Sequence, residues 1–171
     1  ATANDRLDIE FCITENNDLY ILQVRPIAAH RHWSEVRDES VFAAAEEIRD
    51  YVANQMETKP GIFGTSTIFG EMSDWNPAEM IGTTPRPLAL SLYKNLITDS
   101  TWGKARAVMG YRDMSDYPLL TSFSGRPYID IQLSLNSFLP DGLDPEFAGK
   151  LIDFQLEKLA DHREYHDKIE F

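Results

Sequence analysis

Apolar and polar residues alternate in two runs at the start of the chain, within Leu7–Ile27, on either side of an Asn16-Asn17 pair. That pattern predicts two antiparallel strands joined by a tight hairpin. With Asn16-Asn17 as a two-residue loop, Glu10 lies opposite Gln23 and Asp8 opposite Arg25. Ile9, Phe11 and Ile13 then face Val24, Leu22 and Tyr20, giving one oily face and one polar face. After Pro26 the alternation stops, and Ala28 to Trp33 reads as a connection, so a domain boundary is expected near residue 30.

Beyond the boundary the period changes. From Asp38 to Glu57, Val41, Ala44, Ala45, Ile48, Tyr51 and Val52 recur at helical spacing, and Lys59-Pro60-Gly61 ends that helix. Residues 62–82 form a long loop rich in glycine and hydroxyl side chains. It leads to a short helix capped by Asn76, with Pro77 in its first turn and Gly82 at its end. Thr84-Pro85 opens a helix whose Leu88, Leu90, Leu92, Tyr93, Leu96 and Ile97 lie nearly all round, as in a central core element. Asp99-Ser100 caps the next, through Trp102, Ala105, Val108 and Met109, with Gly110 closing it. Leu119–Phe123 and Tyr128–Asn136 read as a second hairpin across Gly125-Arg126, with Ile129, Ile131, Leu133 and Leu135 inward. Asp144-Pro145-Glu146 opens a last helix packing through Phe147, Leu151, Ile152, Leu156 and Leu159. The expected fold class is α+β: residues 1–30 a hairpin, residues 31–171 a mainly helical domain with a second hairpin.

Composition narrows the function classes. A net charge of −12, from 28 acidic and 16 basic residues, gives nucleic acid or an anionic membrane no electrostatic foothold. Cys12 is the single cysteine, which excludes an internal disulfide and fits a reducing compartment. No apolar run approaches the ~20 residues that span a bilayer, and no leader-like apolar stretch opens the chain, so a cytoplasmic protein is expected.

The polar face of the first hairpin gathers two carboxylates, an amide and a guanidinium, a set that suits a divalent cation and a polyphosphate. Its plain alternative is a solvated ribbon with an Asp8–Arg25 surface pair. In the second domain, Glu71, Asp74, Trp75 and Asn76 either line a site, or Trp75 plugs the core and Asp74 serves the cap. The polar row Tyr128, Asp130, Gln132, Ser134 and Asn136 meets either solvent or a sugar-like or carboxylate substrate, with Arg126 nearby as an anion ligand. Arg112 and Asp113 read as a surface pair. His30 and His32 form an HxH with no third ligand nearby, a pattern more often exposed than ligating. His162 and His166, which with Asp161 or Glu164 could hold a metal, fall at a chain end expected to fray.

The joined pattern Asp-Ile-Glu-Phe, short turn, Leu-Gln-Val-Arg-Pro resembles the end of the ATP-grasp nucleotide-binding domain of phosphoenolpyruvate synthase and pyruvate phosphate dikinase. The resemblance implies that Glu10 binds magnesium, that Gln23 contacts nucleotide phosphates or metal, and that Asp8 is a supporting acid. It also implies that Arg25 is the catalytic cation steadying the transferring phosphoryl group. DWNPAEMIG, PLALSLY, NLITD and NSF resemble the region following the nucleotide domain in phosphoenolpyruvate-synthase-like proteins. The implied parent is an ATP- and magnesium-dependent phosphotransferase passing phosphate through a histidine on a swivelling domain to pyruvate or another small acceptor. With no initiating Met and a strand by Leu7, the chain reads as an excised piece. Its nucleotide lobe and phosphohistidine domain would lie elsewhere, and alone it would be inactive. The competing class is a non-catalytic linker or acceptor-binding module of such a protein.

Overall fold

Chain contacts divide the computed structural model into two units, Ala1–Asp38 and Glu39–Phe171. The structure describes residues 7–26, 37–71 and 74–162. Among the described residues no helix is long and apolar enough to cross a membrane.

In the first unit, β1 (Leu7–Ile13) and β2 (Leu19–Pro26) pair antiparallel. The turn differs from the expected two-residue loop. The Asn17 amide donates to the Thr14 carbonyl at 2.9 Å, and Thr14 in turn bonds Asp18, so Glu15-Asn16-Asn17 is the loop. Asn17 supplies the left-handed residue at φ 65°, which closes a three-residue turn of this kind. The longer loop slips the register by one: Phe11 pairs with Ile21, Cys12 with Tyr20 and Ile13 with Leu19, correcting the expected Leu22 and Tyr20 partners. A bulge between Glu10 and Phe11, which leaves Leu22 of β2 unpaired, slips it back. Ile9 therefore lies opposite Val24, Glu10 opposite Gln23 and Asp8 opposite Arg25, as the alternation predicts.

The second unit starts with α1 (Asp38–Gln55), close to the predicted span. It buries no residue; Ala44, Ile48, Val52 and Gln55 are half-buried, and the Tyr51 ring meets Phe69 and Phe123. A three-stranded antiparallel sheet follows in the order β3 (Phe69–Gly70), β5 (Arg126–Asp130), β4 (Leu120–Phe123). The β4–β5 turn is Ser124-Gly125, both at positive φ, with Arg126 already paired to Phe123; it sits one residue earlier than expected.

The expected strand Tyr128–Asn136 is corrected at its middle. It ends at Asp130, whose carboxylate accepts from the Leu133 amide at 3.2 Å and caps α5 (Ile131–Asn136). All six residues of α5 are buried. An alternating apolar pattern suited a strand, but a short helix enclosed on every side carries no amphipathic period to distinguish it. The element expected to be central, α3 (Pro87–Tyr93), lies instead at the surface. It starts at Pro87, packs through Leu90 and buried Tyr93, and leaves Leu88, Leu92 and Leu96 mostly exposed. It runs into a π turn (Lys94–Thr98) in which the Asp99 amide reaches back to the Lys94 carbonyl.

Two helices capped as predicted are α2 (Pro77–Ile81), by Asn76, and α6 (Pro145–Asp161), by Asp144. Helix α6 buries Ala148, Ile152, Leu156 and Leu159, whereas Phe147 stays exposed. The core of the unit joins this face to Ile129, to Ile131, Leu133 and Leu135 of α5, and to Trp102, Met114 and Leu119.

Helix α4 (Thr101–Val108) approaches the Met114–Ser115 backbone through Gly103, where an added Cβ would fall 2.5 Å from Met114 C and Ser115 N. Gly149 in α6 has nothing within 4 Å of the same point. We expect Gly103→Ala to lower the unfolding free energy by about 1–3 kcal/mol through overpacking. Gly149→Ala should raise it by about 0.5–1 kcal/mol through helix propensity, both read by urea denaturation.

Candidate functional site

Side chains alternate across a strand, so Asp8 and Glu10 of β1 share one face with their partners Arg25 and Gln23 of β2. Arg25 Nε donates to Asp8 Oδ2 at 2.7 Å, an exposed pair worth about 0–1 kcal/mol to stability. Glu10 and Gln23 are exposed beside it. All four candidate residues are thus adjacent, with Asp8 engaged by Arg25 and the Glu10 carboxylate without a partner among the described residues. Cys12 and Tyr20 continue the same face, and Cys12 is exposed as a free thiol.

Comparison with family models, with curated proteins and with solved structures gives no match. What the chain can do is therefore argued from its own side chains.

In the second unit the residues of the 62–82 segment are separated rather than convergent. Glu71 pairs with Arg126 at 2.6 Å, so the expected anion ligand already has a carboxylate partner. Asp74 pairs with Arg106, Asn76 caps α2 through the Glu79 amide, and half-buried Trp75 sits at φ 61° beside the Arg106 guanidinium. Trp75 packs against the core as a plug, whereas Asp74, the expected helper of the cap, is taken by Arg106, and Asn76 supplies the cap. The expected Arg112–Asp113 pair does not form. Arg112 donates to Asn136 Oδ1 at 3.0 Å and to the Gly61 carbonyl, and lies over the Phe63 ring. The Asp113 carboxyl is held below its usual range, chiefly because it accepts the Ser115 amide. His30, His32 and His166 lie outside the described residues. Among the described residues no three His, Cys, Asp or Glu side chains are grouped so as to hold a metal ion.

The polar row of the expected strand has become a buried network. Asp130 Oδ1 accepts from Thr67 Oγ1 at 2.5 Å as well as from the Leu133 amide, and Oδ2 accepts from Lys59 Nζ at 3.3 Å. Gln132 Nε2 donates to the Phe63 and Gly64 carbonyls. Asn136 accepts the Phe63 amide at 2.9 Å and donates to the Phe63 carbonyl at 2.9 Å. Asp153 of α6 accepts the Thr65 amide at 2.7 Å. The loop before β3 is therefore bound by side chains of α5 and α6, which satisfy backbone groups that have no strand partner.

Beside Lys59 and Asp130 a cavity of about 250 Å³ opens between α1 and the sheet, walled by Tyr51, Gln55, Phe69 and Leu133 among others. A second groove of about 300 Å³ runs along α1 against Thr121–Ser124. Sequence reasoning assigned Lys59 only to the end of α1. Its pairing with Asp130 spans a sequence distance that no local pattern encodes.

Burial, and secondarily the nearby Asp74 carboxylate, push the Tyr93 phenol up to about 12. Its hydroxyl donates to the Trp75 carbonyl, so the neutral form is the one the fold holds. A phenol raised in the folded state contributes stability that is complete below the unfolded value of 10.0 and is lost as pH climbs toward about 12. We expect the stability advantage of wild type over Tyr93→Phe, about 0.5–1.5 kcal/mol at neutral pH, to shrink across that interval in chemical denaturation.

Proposed function

We propose that the β1–β2 ribbon is the polyphosphate-facing edge of a nucleotide site, left from an ATP-grasp domain, in a cytoplasmic ATP-dependent phosphotransferase similar to phosphoenolpyruvate synthase and pyruvate phosphate dikinase. The observation carrying this reading is the register that puts Asp8–Arg25 and Glu10–Gln23 side by side on one face. The bulge restores that register after the longer turn has displaced it, and bulges recur where a strand must aim particular side chains.

The donor chemistry fits magnesium in kind. Glu10 offers a carboxylate and Gln23 an amide oxygen from opposed positions. These are hard donors of the type magnesium accepts when phosphates and water complete its octahedron. When bound, magnesium neutralises phosphate charge and orients the terminal phosphoryl group. The residues of the ribbon divide the remaining work. Glu10 and Gln23 position the polyphosphate, and Asp8 holds Arg25 at 2.7 Å so that its guanidinium is fixed before charge develops. Arg25 retains further N–H donors beyond the one given to Asp8, enough to engage phosphoryl oxygens. Phosphoryl transfer asks mainly for such positioning and charge stabilisation. In this reading the histidine that receives the phosphate and the rest of the nucleotide lobe belong to other domains, and the final acceptor is pyruvate or another small molecule.

In the protein joined to those domains, Glu10→Gln and Arg25→Ala should each lower labelled-phosphate transfer from ATP about 100-fold or more. Their melting temperatures should stay within a degree or two of wild type, on the scale of an exposed pair. Near-wild-type transfer in either variant would refute the assigned role.

A further inference from the structure

We propose that the cavity walled by Tyr51, Gln55, Lys59, Phe69, Asp130 and Leu133 binds a small zwitterionic amino acid with an apolar side chain. This inference is independent of the ribbon and of its reading as a nucleotide site.

The cavity lining carries one positive and one negative side chain, Lys59 and Asp130. Asp130 is only 7% exposed at its side chain, and Thr67 Oγ1 and the Leu133 amide fix one of its oxygens. The carboxylate therefore cannot swing to suit an arriving group; it is pre-set. Lys59 reaches the other oxygen at 3.3 Å, long for a charge-assisted bond, and its ammonium has three donors with one spent there. Both groups keep hydrogen-bonding capacity beyond these contacts, and both line the cavity.

Their sum is neutral, and this selects the ligand. A bare carboxylate on Lys59 brings its charge against Asp130, and a bare amine on Asp130 brings its charge against Lys59. A molecule carrying both groups on neighbouring atoms matches each with its opposite and adds no net charge to a sheltered site. Around this pair the lining includes the rings of Tyr51 and Phe69, with centroids 6.1 Å apart, Phe69 being the cross-strand partner of Asp130, together with Leu119, Leu120 and Leu133. A volume of about 250 Å³ falls just below the ~300–1,000 Å³ of pockets for drug-sized ligands, which suits a metabolite the size of leucine or phenylalanine. The Gln55 amide on the rim offers one more donor and acceptor.

Calorimetric titration of the chain with L-leucine, L-phenylalanine, isocaproate and isoamylamine tests this. Saturable binding of at least one amino acid at one site per chain is expected, with isocaproate and isoamylamine at least about 10-fold weaker, a difference of about 1.4 kcal/mol. Lys59→Met, which keeps the aliphatic stem, should weaken the amino acid by about the same factor. In wild-type protein, amide NMR shifts on adding the amino acid should centre on Tyr51, Lys59, Phe69 and Leu133, a readout that does not need the variant to fold. Absence of saturable amino-acid binding, equal affinity for isocaproate or isoamylamine, unchanged affinity in folded Lys59→Met, or shifts centred elsewhere would each overturn the proposal.

Discussion

Burying Ile131–Asn136 on every side takes Gln132 and Asn136 out of water along with the leucines between them, and each buried amide group costs roughly 1–3 kcal/mol if it finds no partner. The chain meets this for Asn136 and for Gln132 Nε2 by bringing the loop before β3 against the helix, while Gln132 Oε1 keeps no partner among the described residues. Phe63 exchanges hydrogen bonds with Asn136, and its carbonyl and that of Gly64 accept Gln132. Each side supplies what the other lacks, because a loop without strand partners has unpaired backbone groups and a fully enclosed helix has unpaired side chains. Gly64 is part of the fit: at φ 92°, a Cβ there would fall 2.6 Å from Ile152. Arg112 closes the arrangement from outside by bridging Asn136 and the Gly61 carbonyl.

The position of the cavity follows from the same constraint. Asp130 terminates β5, caps α5 and faces Lys59, so one carboxylate sets where the sheet stops, where the helix starts and what charge lines the hollow under α1. Three aromatic rings, Tyr51, Phe69 and Phe123, meet pairwise at 5.3–6.1 Å and join α1 to the sheet where that helix buries no residue of its own. In the first unit, the turn at Asn17 and the bulge at Leu22 displace the register by one residue in opposite senses. The polar pairs at the open end of the ribbon are thereby kept while the apolar pairs near the turn change partners.

Features governed by local chemistry were legible in the sequence: the caps at Asn76 and Asp144, the span of α1, the β1–β2 pairing around Glu10 and the strand beginning β5. Those decided by burial were not. The alternation from Ile129 to Leu135 has the period of a strand, and only the Asp130 cap and the enclosure of α5 turn its second half into a helix. The leucines of α3 signalled a core helix by number alone, whereas the core is supplied by Trp102, α5 and α6. Glu71, Asp74, Arg112 and Arg126 were legible as charged residues, but their partners come from distant segments that no local pattern names. The polar pairs of the ribbon were read correctly although its turn was not, because the bulge at Leu22 offsets the extra loop residue; the Lys59–Asp130 pair was not legible, since tertiary packing alone brings it together.

Mutual dependence of the loop and the buried helix is tested most directly by native-state amide hydrogen exchange on the unmodified chain. If the loop is held by α5, the Phe63 amide, bound to Asn136, should be as protected as the Leu133 amide, bound to Asp130, and the two should open together as denaturant rises. Exchange at Phe63 orders of magnitude faster than at Leu133, with no common opening, would contradict that dependence.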